Sequence, residues 1–284
     1  MSGIFASFKP RHEYLVCVDS DGCVMDTMTC KHVLSFGPCL VNEWGLGRWR
    51  EEILKGWNEV NLYRVTRGIN RFKGLALALT EINEKHTRIE GIESYLRWCE
   101  TTHAHSEESL IKAIGTADGG EEGECLRKAL AWSLKVNESI DAIPYDVMMP
   151  FQGAKEGLKR AHSLADVVVV SGARHKTVCD EWQRHGLLKY TDLVLAQDVG
   201  SKAYCISEML RLGYDRSRTL MIGDAMGDLD AAEINGVHFF PILTGKEAKS
   251  WREVCDVGLL KLLDGTYHGE YQRDKKTEFI KNFK

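Results

Sequence analysis

The sequence predicts an α/β fold, a parallel sheet covered by helices and interrupted by a long helical insertion. Three observations carry this. Short apolar runs without polar interruption, Tyr14 to Val18, Val167 to Val170 and Leu220 to Ile222, read as strands buried on both faces. From Pro150 onward such runs alternate with helix-period segments, the rhythm of a sheet with helices on both sides. From about Met25 to Ile143 the pattern is helical and strand signals are scarce. The strand at Tyr14–Val18 has to pair with strands after residue 150, so the helical block is an insertion. The expected division is 1–24 with 146–284 for the α/β core, and 25–145 for the helical domain.

The elements follow in order. In the insertion, Trp49, Ile53, Leu54 and Trp57 recur at helical spacing, as do Leu75, Leu79 and Ile82, then Ile92, Tyr95 and Leu96, then Leu126, Leu130 and Leu134. Gly115 to Gly123 is glycine-rich and acidic and reads as a loop. Trp44, Trp49, Trp57, Trp98 and Trp132 are expected in the core of this domain. In the α/β part, helices are predicted near 153–163, 176–185, 201–212, 228–235 and 246–263, and strands near 167–170, 193–196, 220–222 and 237–241. The charged stretch from Thr266 to Lys284, with Tyr267, Tyr271 and Phe279 spaced through it, fits either a docked helix or a frayed tail.

The bulk numbers exclude several classes. A chain of 284 residues with 44% hydrophobic content permits one large domain or two modest ones, with ample core. A formal net charge of −4 leaves no general nucleic-acid footprint. Nine scattered cysteines without a Cys-x-x-Cys pair point to free thiols in a reducing compartment. No apolar run approaches the ~18 residues of a membrane span, and Met1 to His12 lacks the apolar segment of a signal peptide. The expectation is a cytoplasmic protein, monomer or homodimer, with no membrane and no nucleic-acid partner.

The first strand ends in Asp19-Ser20-Asp21-Gly22, two carboxylates and a glycine that lets the chain turn away. Ligands and chemistry gather at the carboxyl ends of strands in open α/β sheets, although the same four residues are good turn chemistry. Downstream, the run to Val170 ends at Ser171-Gly172. The run to Ile222 ends at Gly223-Asp224, with Asp228 one helical turn later. Gly200-Ser201-Lys202 lies between them.

In this order, the Asp-x-Asp-Gly, the strand-ending serine, the lysine and the Gly-Asp-x-x-x-Asp resemble the four motifs of the haloacid dehalogenase-like (HAD) superfamily. The resemblance covers about residues 11–30 and 150–245. It implies a Rossmann-like core, and it makes the insertion similar to a C1-type helical cap, which closes over a site and excludes bulk water. It also implies a Mg²⁺-dependent hydrolase acting on a small phosphate ester.

Phosphoryl transfer needs a nucleophile, charge neutralisation on the phosphoryl oxygens and a proton for the leaving group. On the family pattern Asp19 is the nucleophile, since a carboxylate can form an aspartyl-phosphate. Asp19 and Asp224 are the carboxylate ligands of Mg²⁺, which needs only one or two because it keeps several waters. The main-chain carbonyl of Asp21 is a third ligand by resemblance. Ser171 and the Gly172 amide can bind phosphoryl oxygens, and Lys202 suits phosphate and holds Asp19 ionised. Asp228 falls on the same helical side as Asp224 and orients metal water or Lys202. Asp21 can protonate the leaving oxygen and then activate water. That favours monoester hydrolysis or phosphomutase chemistry over a phosphonoacetaldehyde hydrolase-like reaction, which would draw on a lysine of the insertion such as Lys31 or Lys73. A binding module on a retired scaffold is the rival from another class.

Three further residues are candidates for the substrate. Arg64, Arg67 and Arg71 form a basic cluster and share one face if Leu62 to Phe72 is helical. Gly68 can instead break that helix and turn the side chains inward, and a solvated cationic face is the plain alternative. His103 and His105 have a spacing that suits a metal but read as a surface loop. Cys23, beside the nucleophile, is a candidate reactive thiol.

Overall fold

The structure is a computed structural model that describes residues 3–102, 104–117 and 120–283. The chain divides into two compact units, Met1–Thr27 with Met148–Lys284, and Met28–Val147.

The first unit is built on a five-stranded parallel sheet: β1 (Leu15–Val18), β2 (Asp166–Val170), β3 (Leu193–Leu195), β4 (Thr219–Gly223) and β5 (His238–Pro241), in the order β3-β2-β1-β4-β5. The chain steps outward from β1 to β3, then returns to the other side of β1. The order therefore reverses beside β1, and the carboxyl ends of β1 and β4 flank that switch point. Alternate residues feed two cores. Val16, Val18, Val167, Val169, Leu220 and Ile222 pack on one side of the sheet, and Leu15, Cys17, Val168, Val170 and Met221 on the other. Burial on both faces explains the unbroken apolar runs, each such side chain contributing roughly 1.5–3 kcal/mol.

The helices Ala154–His162, His175–Arg184, Lys202–Leu210 and Met226–Asn235 follow β-strand or turn segments as the spacing predicts. The predicted 246–263 helix is one continuous feature with a π-turn, Val254–Gly258, between α-helical Glu247–Glu253 and Leu259–Leu263. The charged terminal stretch is a docked helix, Glu270–Lys281. Its Phe279 is buried with its ring centroid 5.1 Å from that of Phe239, and Tyr267 donates its hydroxyl to the Phe239 carbonyl at 2.8 Å. At the amino end of β2, the buried Asp166 accepts bonds from the Arg11 and His12 amides, at 2.8 and 3.0 Å, and from the Tyr214 hydroxyl at 2.6 Å.

The segments that leave and re-enter this unit pair with one another. Met25 bridges Pro150, the Asp26 amide donates to the Met149 carbonyl at 2.8 Å, and the Phe151 amide donates to the Val24 carbonyl at 2.9 Å. This is why residues 25–27 and 148–150 belong to the sheet unit.

The second unit is helical, with the aromatic side chains of Phe36, Trp57, Phe72 and Trp132 packed together. Trp57, Trp98 and Trp132 are buried as expected, but Trp44 and Trp49 are only half-buried. The long helix Glu121–Asp141 buries the stripe Cys125, Ala129, Trp132, Val136 and Ile140. That stripe excludes Leu134, which is exposed, and leaves Leu130 half-buried. The expected glycine-rich loop is shorter than 115–123, because the helix Glu107–Thr116 runs through Gly115.

Candidate active site

The carboxyl end of β1 carries the first two acidic residues. The ladder runs one residue past the strand, with the Asp19 amide donating to the Ile222 carbonyl of β4 at 3.0 Å. The chain then folds back. The Ser20 carbonyl accepts the amides of Cys23, Val24 and Met25, at 3.3, 2.9 and 2.9 Å. Gly22 sits at φ +85°, a left-handed turn that favours glycine. Asp19 is buried, whereas Asp21 is half-buried and accepts a hydrogen bond from the Thr27 hydroxyl.

β4 delivers the other carboxylates. Asp224 follows the strand and is buried. Asp228 lies in the first turn of Met226–Asn235, where its Oδ2 accepts the Ala225 amide at 3.0 Å, as an acidic group does near a helix start. A Cβ at Gly223 would lie 2.2 Å from Asp228 Cγ, so only glycine lets that carboxylate fold back onto the strand end. Oxygens of Asp19, Asp224 and Asp228 lie within 4.8 Å of one another, the one such acidic cluster among the described residues.

Lys202 supplies the cation. It opens the helix Lys202–Leu210, which is capped by Ser201 and tied to Met226–Asn235 by Asn235 Nδ2 donating to the Ala203 carbonyl at 2.9 Å. Its Nζ lies 2.6 Å from Asp228 Oδ1 and 3.0 Å from Asp19 Oδ1. One ammonium is shared by two carboxylates, with Asp224 close to both, and the pKa directions follow. Burial pushes the Asp19 carboxyl well above the ordinary range against the pull of Lys202, and Asp228 and Asp224 add to the rise. Burial works against the Lys202 charge, but Asp19 and Asp228 outweigh it and hold its pKa above the usual value.

Ser171 sits just past β2, with its amide bonded to the Leu195 carbonyl at 2.9 Å. Its Oγ accepts the Ala173 amide at 3.1 Å, so it closes a turn; the following helix starts after Arg174, whose side chain makes no capping bond. Since Val18 pairs with Val169, Asp19 and Ser171 emerge from neighbouring strands at the same edge of the sheet. Gly172 is exposed, and a Cβ there would meet nothing within 4 Å.

Asp19, Lys202, Asp224 and Asp228 are thus brought together, with Asp21, Ser171 and Gly172 at the same end of the sheet. The contacts from Thr27, and from Trp182 and Trp251 to this loop, have no counterpart in the sequence pattern.

The arginine cluster lies in the helical unit and does not share one helix face. The first helical run ends at Tyr63, Gly68 sits at φ +70° in the intervening turn, and the next helix starts at Arg71. Arg64 is exposed. Arg67 is buried and donates to the Leu62 carbonyl at 3.2 Å. Arg71 donates to Asn137 Oδ1 at 2.7 Å and to Ser133 Oγ at 3.2 Å, and Glu107 accepts from both of those side chains at 2.8 Å. His103 lies outside the described residues, and His105 Nε2 is within 2.8 Å of the Cys99 carbonyl. Cys23 is fully buried, and burial together with Asp19 pushes its thiol pKa well above the usual value. All nine cysteines are free. Among the described residues, no helix is long and apolar enough to cross a membrane.

No curated protein matches the chain. Similar solved structures include a predicted phosphoglycolate phosphatase from Haemophilus somnus, 13% identical, covering 81% of this chain and 86% of that one at a TM-score of 0.49. A haloacid dehalogenase-like family hydrolase from Streptococcus pneumoniae is 12% identical over 80% of this chain and 83% of that one, with a TM-score of 0.43. A HAD-superfamily hydrolase of subfamily IA from Geobacter sulfurreducens is 16% identical over 80% and 86%, with a TM-score of 0.41. The model of the haloacid dehalogenase-like hydrolase family matches residues 82–242, which hold Ser171, Lys202, Asp224 and Asp228. That match spans more than half of the chain, and this protein belongs to the haloacid dehalogenase-like hydrolase family.

Proposed function

We propose that this hydrolase is a Mg²⁺-dependent phosphatase that cleaves a small phosphorylated metabolite through an aspartyl-phosphate on Asp19. The observation that carries this reading is the Lys202 ammonium shared between Asp19 and Asp228, with Asp224 beside them. A carboxylate held by a lysine among further carboxylates is equipped for attack on phosphorus.

The donor set suits a hard cation. Both oxygens of Asp228 are engaged, by Lys202 and by the Ala225 amide, which leaves Asp19 and Asp224 as the carboxylate donors. Oxygen donors in that number are what Mg²⁺ takes, and bound there it would offset the negative charge of the phosphoryl oxygens.

The residues then divide the reaction. Asp19 attacks phosphorus, and the bond from phosphorus to the ester oxygen breaks. Asp21 gives that oxygen its proton as it leaves. The resulting carboxylate of Asp21 takes a proton from water, which attacks the phosphoryl group and frees Asp19 and inorganic phosphate. The Thr27 hydroxyl on Asp21 fixes which way that carboxyl faces. Ser171 and the Gly172 amide would donate to the phosphoryl oxygens, and Lys202 screens the approach of the two anions. Of Arg64, Arg67 and Arg71 in the helical unit, the exposed Arg64 is the first candidate for substrate recognition, since a guanidinium fork suits a carboxylate or second phosphate and the other two are engaged within their own unit.

The test is hydrolysis of a panel of phosphate monoesters with and without Mg²⁺. Phosphate release that needs Mg²⁺, and trapping of a phosphorylated Asp19, are expected. A protein that releases no phosphate from any ester overturns the reading. Arg→Ala at 64, 67 or 71, compared on the best ester and on a minimal aryl phosphate, tests recognition. A charge-assisted contact predicts about 10- to 150-fold loss of kcat/KM on the former alone.

A further inference from the structure

The loop carrying Asp19 and Asp21 is held from behind by two buried indoles. Trp182, in the helix His175–Arg184, donates its Nε1–H to Ser20 Oγ at 2.9 Å. Trp251, in the helix Glu247–Glu253, donates its Nε1–H to the Cys23 carbonyl at 2.9 Å. Ser20 lies between the two acidic residues and Cys23 lies just after them, so Asp21 sits between two anchored points. Neither ring has room to drift. Trp182 and Trp251 are both buried in the core that contains Val18, Cys23, Val24 and Met25, and a Cβ at Gly157 would already be 2.4 Å from the Trp251 ring.

We propose that Trp182 and Trp251 are positioning residues that clamp the Asp19–Met25 loop and so fix where the Asp21 carboxyl stands relative to Asp19. The kinetic part of this rests on the phosphatase reading above.

The physical need is specific. Past Asp19 the backbone leaves the five-stranded ladder, and its pairing with the returning segment, Met25 with Pro150 and the Val24 carbonyl with the Phe151 amide, comes only beyond Asp21. Asp19, Asp224 and Asp228 crowd together with one ammonium shared between the first and the last, and their repulsion bears on Asp19, at the mouth of this loop. The loop's own bonds, from the Ser20 carbonyl to three amides, set its shape, the Val24 and Met25 pairings hold its far end, and the indoles hold Ser20 and Cys23. A tryptophan suits that role. It is large, has only two side-chain torsions, and carries one donor that must be satisfied when buried. Two of them from separate helices oppose both translation and rocking. A group misplaced by about 1 Å can cost roughly 10²-fold in rate, which is reason enough for support behind a proton-transferring carboxyl.

The test uses Trp182→Phe, Ser20→Ala, Trp251→Phe and the Trp182→Phe/Ser20→Ala double variant. Each phenylalanine keeps a ring and removes the N–H, and Ser20→Ala removes the acceptor should Trp182→Phe not fold. Amide hydrogen exchange is measured first. The clamp predicts about tenfold faster exchange at Cys23, Val24 and Met25, with the amides of β4 unchanged. Unchanged exchange in that loop, or acceleration spread evenly over the sheet, overturns it. A series of aryl phosphates of graded leaving-group acidity is the second readout. A loosened Asp21 should slow the poorest leaving groups about tenfold more than the best, with KM little changed, and the double variant should lose no more than Ser20→Ala alone. Faster loop exchange with an unaltered leaving-group dependence overturns positioning in favour of a purely structural role. Wild type that hydrolyses none of the esters overturns the phosphatase reading instead, and exchange alone then decides the clamp.

Discussion

Lys202 Nζ lies closer to Asp228, at 2.6 Å, than to Asp19, at 3.0 Å. The lysine is therefore seated on the residue that also accepts the Ala225 amide, and reaches the proposed nucleophile from that seat. Removing it leaves buried carboxylates beside one another. Lys202→Met should destabilise by about 3–5 kcal/mol, the cost of breaking a buried pair, and should lower turnover by at least 10²-fold. Denaturant melts with and without millimolar Mg²⁺ check the first, and part of the lost stability should return with the cation. A variant as stable as wild type without metal would mean that Lys202 is not the main counter-charge of this cluster.

Asp19→Asn separates activity from stability. The amide cannot form an acyl phosphate, so phosphate release should vanish. Yet the carboxyl it replaces is held at an unfavourably high pKa by burial and by Asp228 and Asp224, in spite of Lys202. Without metal, the variant should melt at or above the wild-type temperature, a trade seen where function strains a site. Retention of more than a few per cent of activity in clean protein would remove Asp19 from the nucleophile's role.

Asp224→Ala addresses the cation directly. Mg²⁺ should raise the wild-type Tm, by linkage to the folded state, and should raise it far less in this variant, because Asp19 alone is a thin site for a reluctantly dehydrated ion. Thermal melts across a Mg²⁺ titration read this without any substrate. Equal shifts in both proteins would place the ion elsewhere.

The sheet and its motifs were legible because they depend on local chemistry. Buried parallel strands need unbroken apolar runs, and the acidic residues fall directly after them, at Asp19 and Asp224. What lay beyond reach depends on contacts between distant residues. Trp182 and Ser20 are far apart in sequence, and nothing at either position marks the pair. Of the Leu126–Leu130–Leu134 stripe only Leu126 is buried, because the inner side of the helix runs through Cys125, Ala129 and Trp132, which leucine spacing alone does not show. The arginine cluster depended on whether Gly68 turns the chain, and at φ +70° it does.

At the opposite end of the sheet, Asp166 makes the fold sensitive to acid. Burial would raise its pKa, but the Tyr214 hydroxyl and the His12 and Arg11 amides outweigh it and hold the carboxyl below the ordinary value. A folded-state pKa below the unfolded one gives stability that is complete above about pH 4 and is lost as pH falls through the folded value. Asp166→Asn should lower Tm at pH 7 and flatten its fall on acidification, as melts between roughly pH 5 and pH 2 would show. An acid profile identical to wild type would assign the sensitivity to other carboxylates.

The pairing of Met25 with Pro150, and of Asp26 with Met149, makes the two ends of the inserted segment next-door neighbours. An excursion that begins and ends at one place can change length or content without asking the sheet to move. The gap to be closed stays the same whether the detour is short or long, and closing a longer one costs only slowly more entropy. The doorway is also a few residues from Asp21 along the chain. A lineage that kept this stem could exchange the inserted segment wholesale while the carboxylates at the strand ends passed on unaltered.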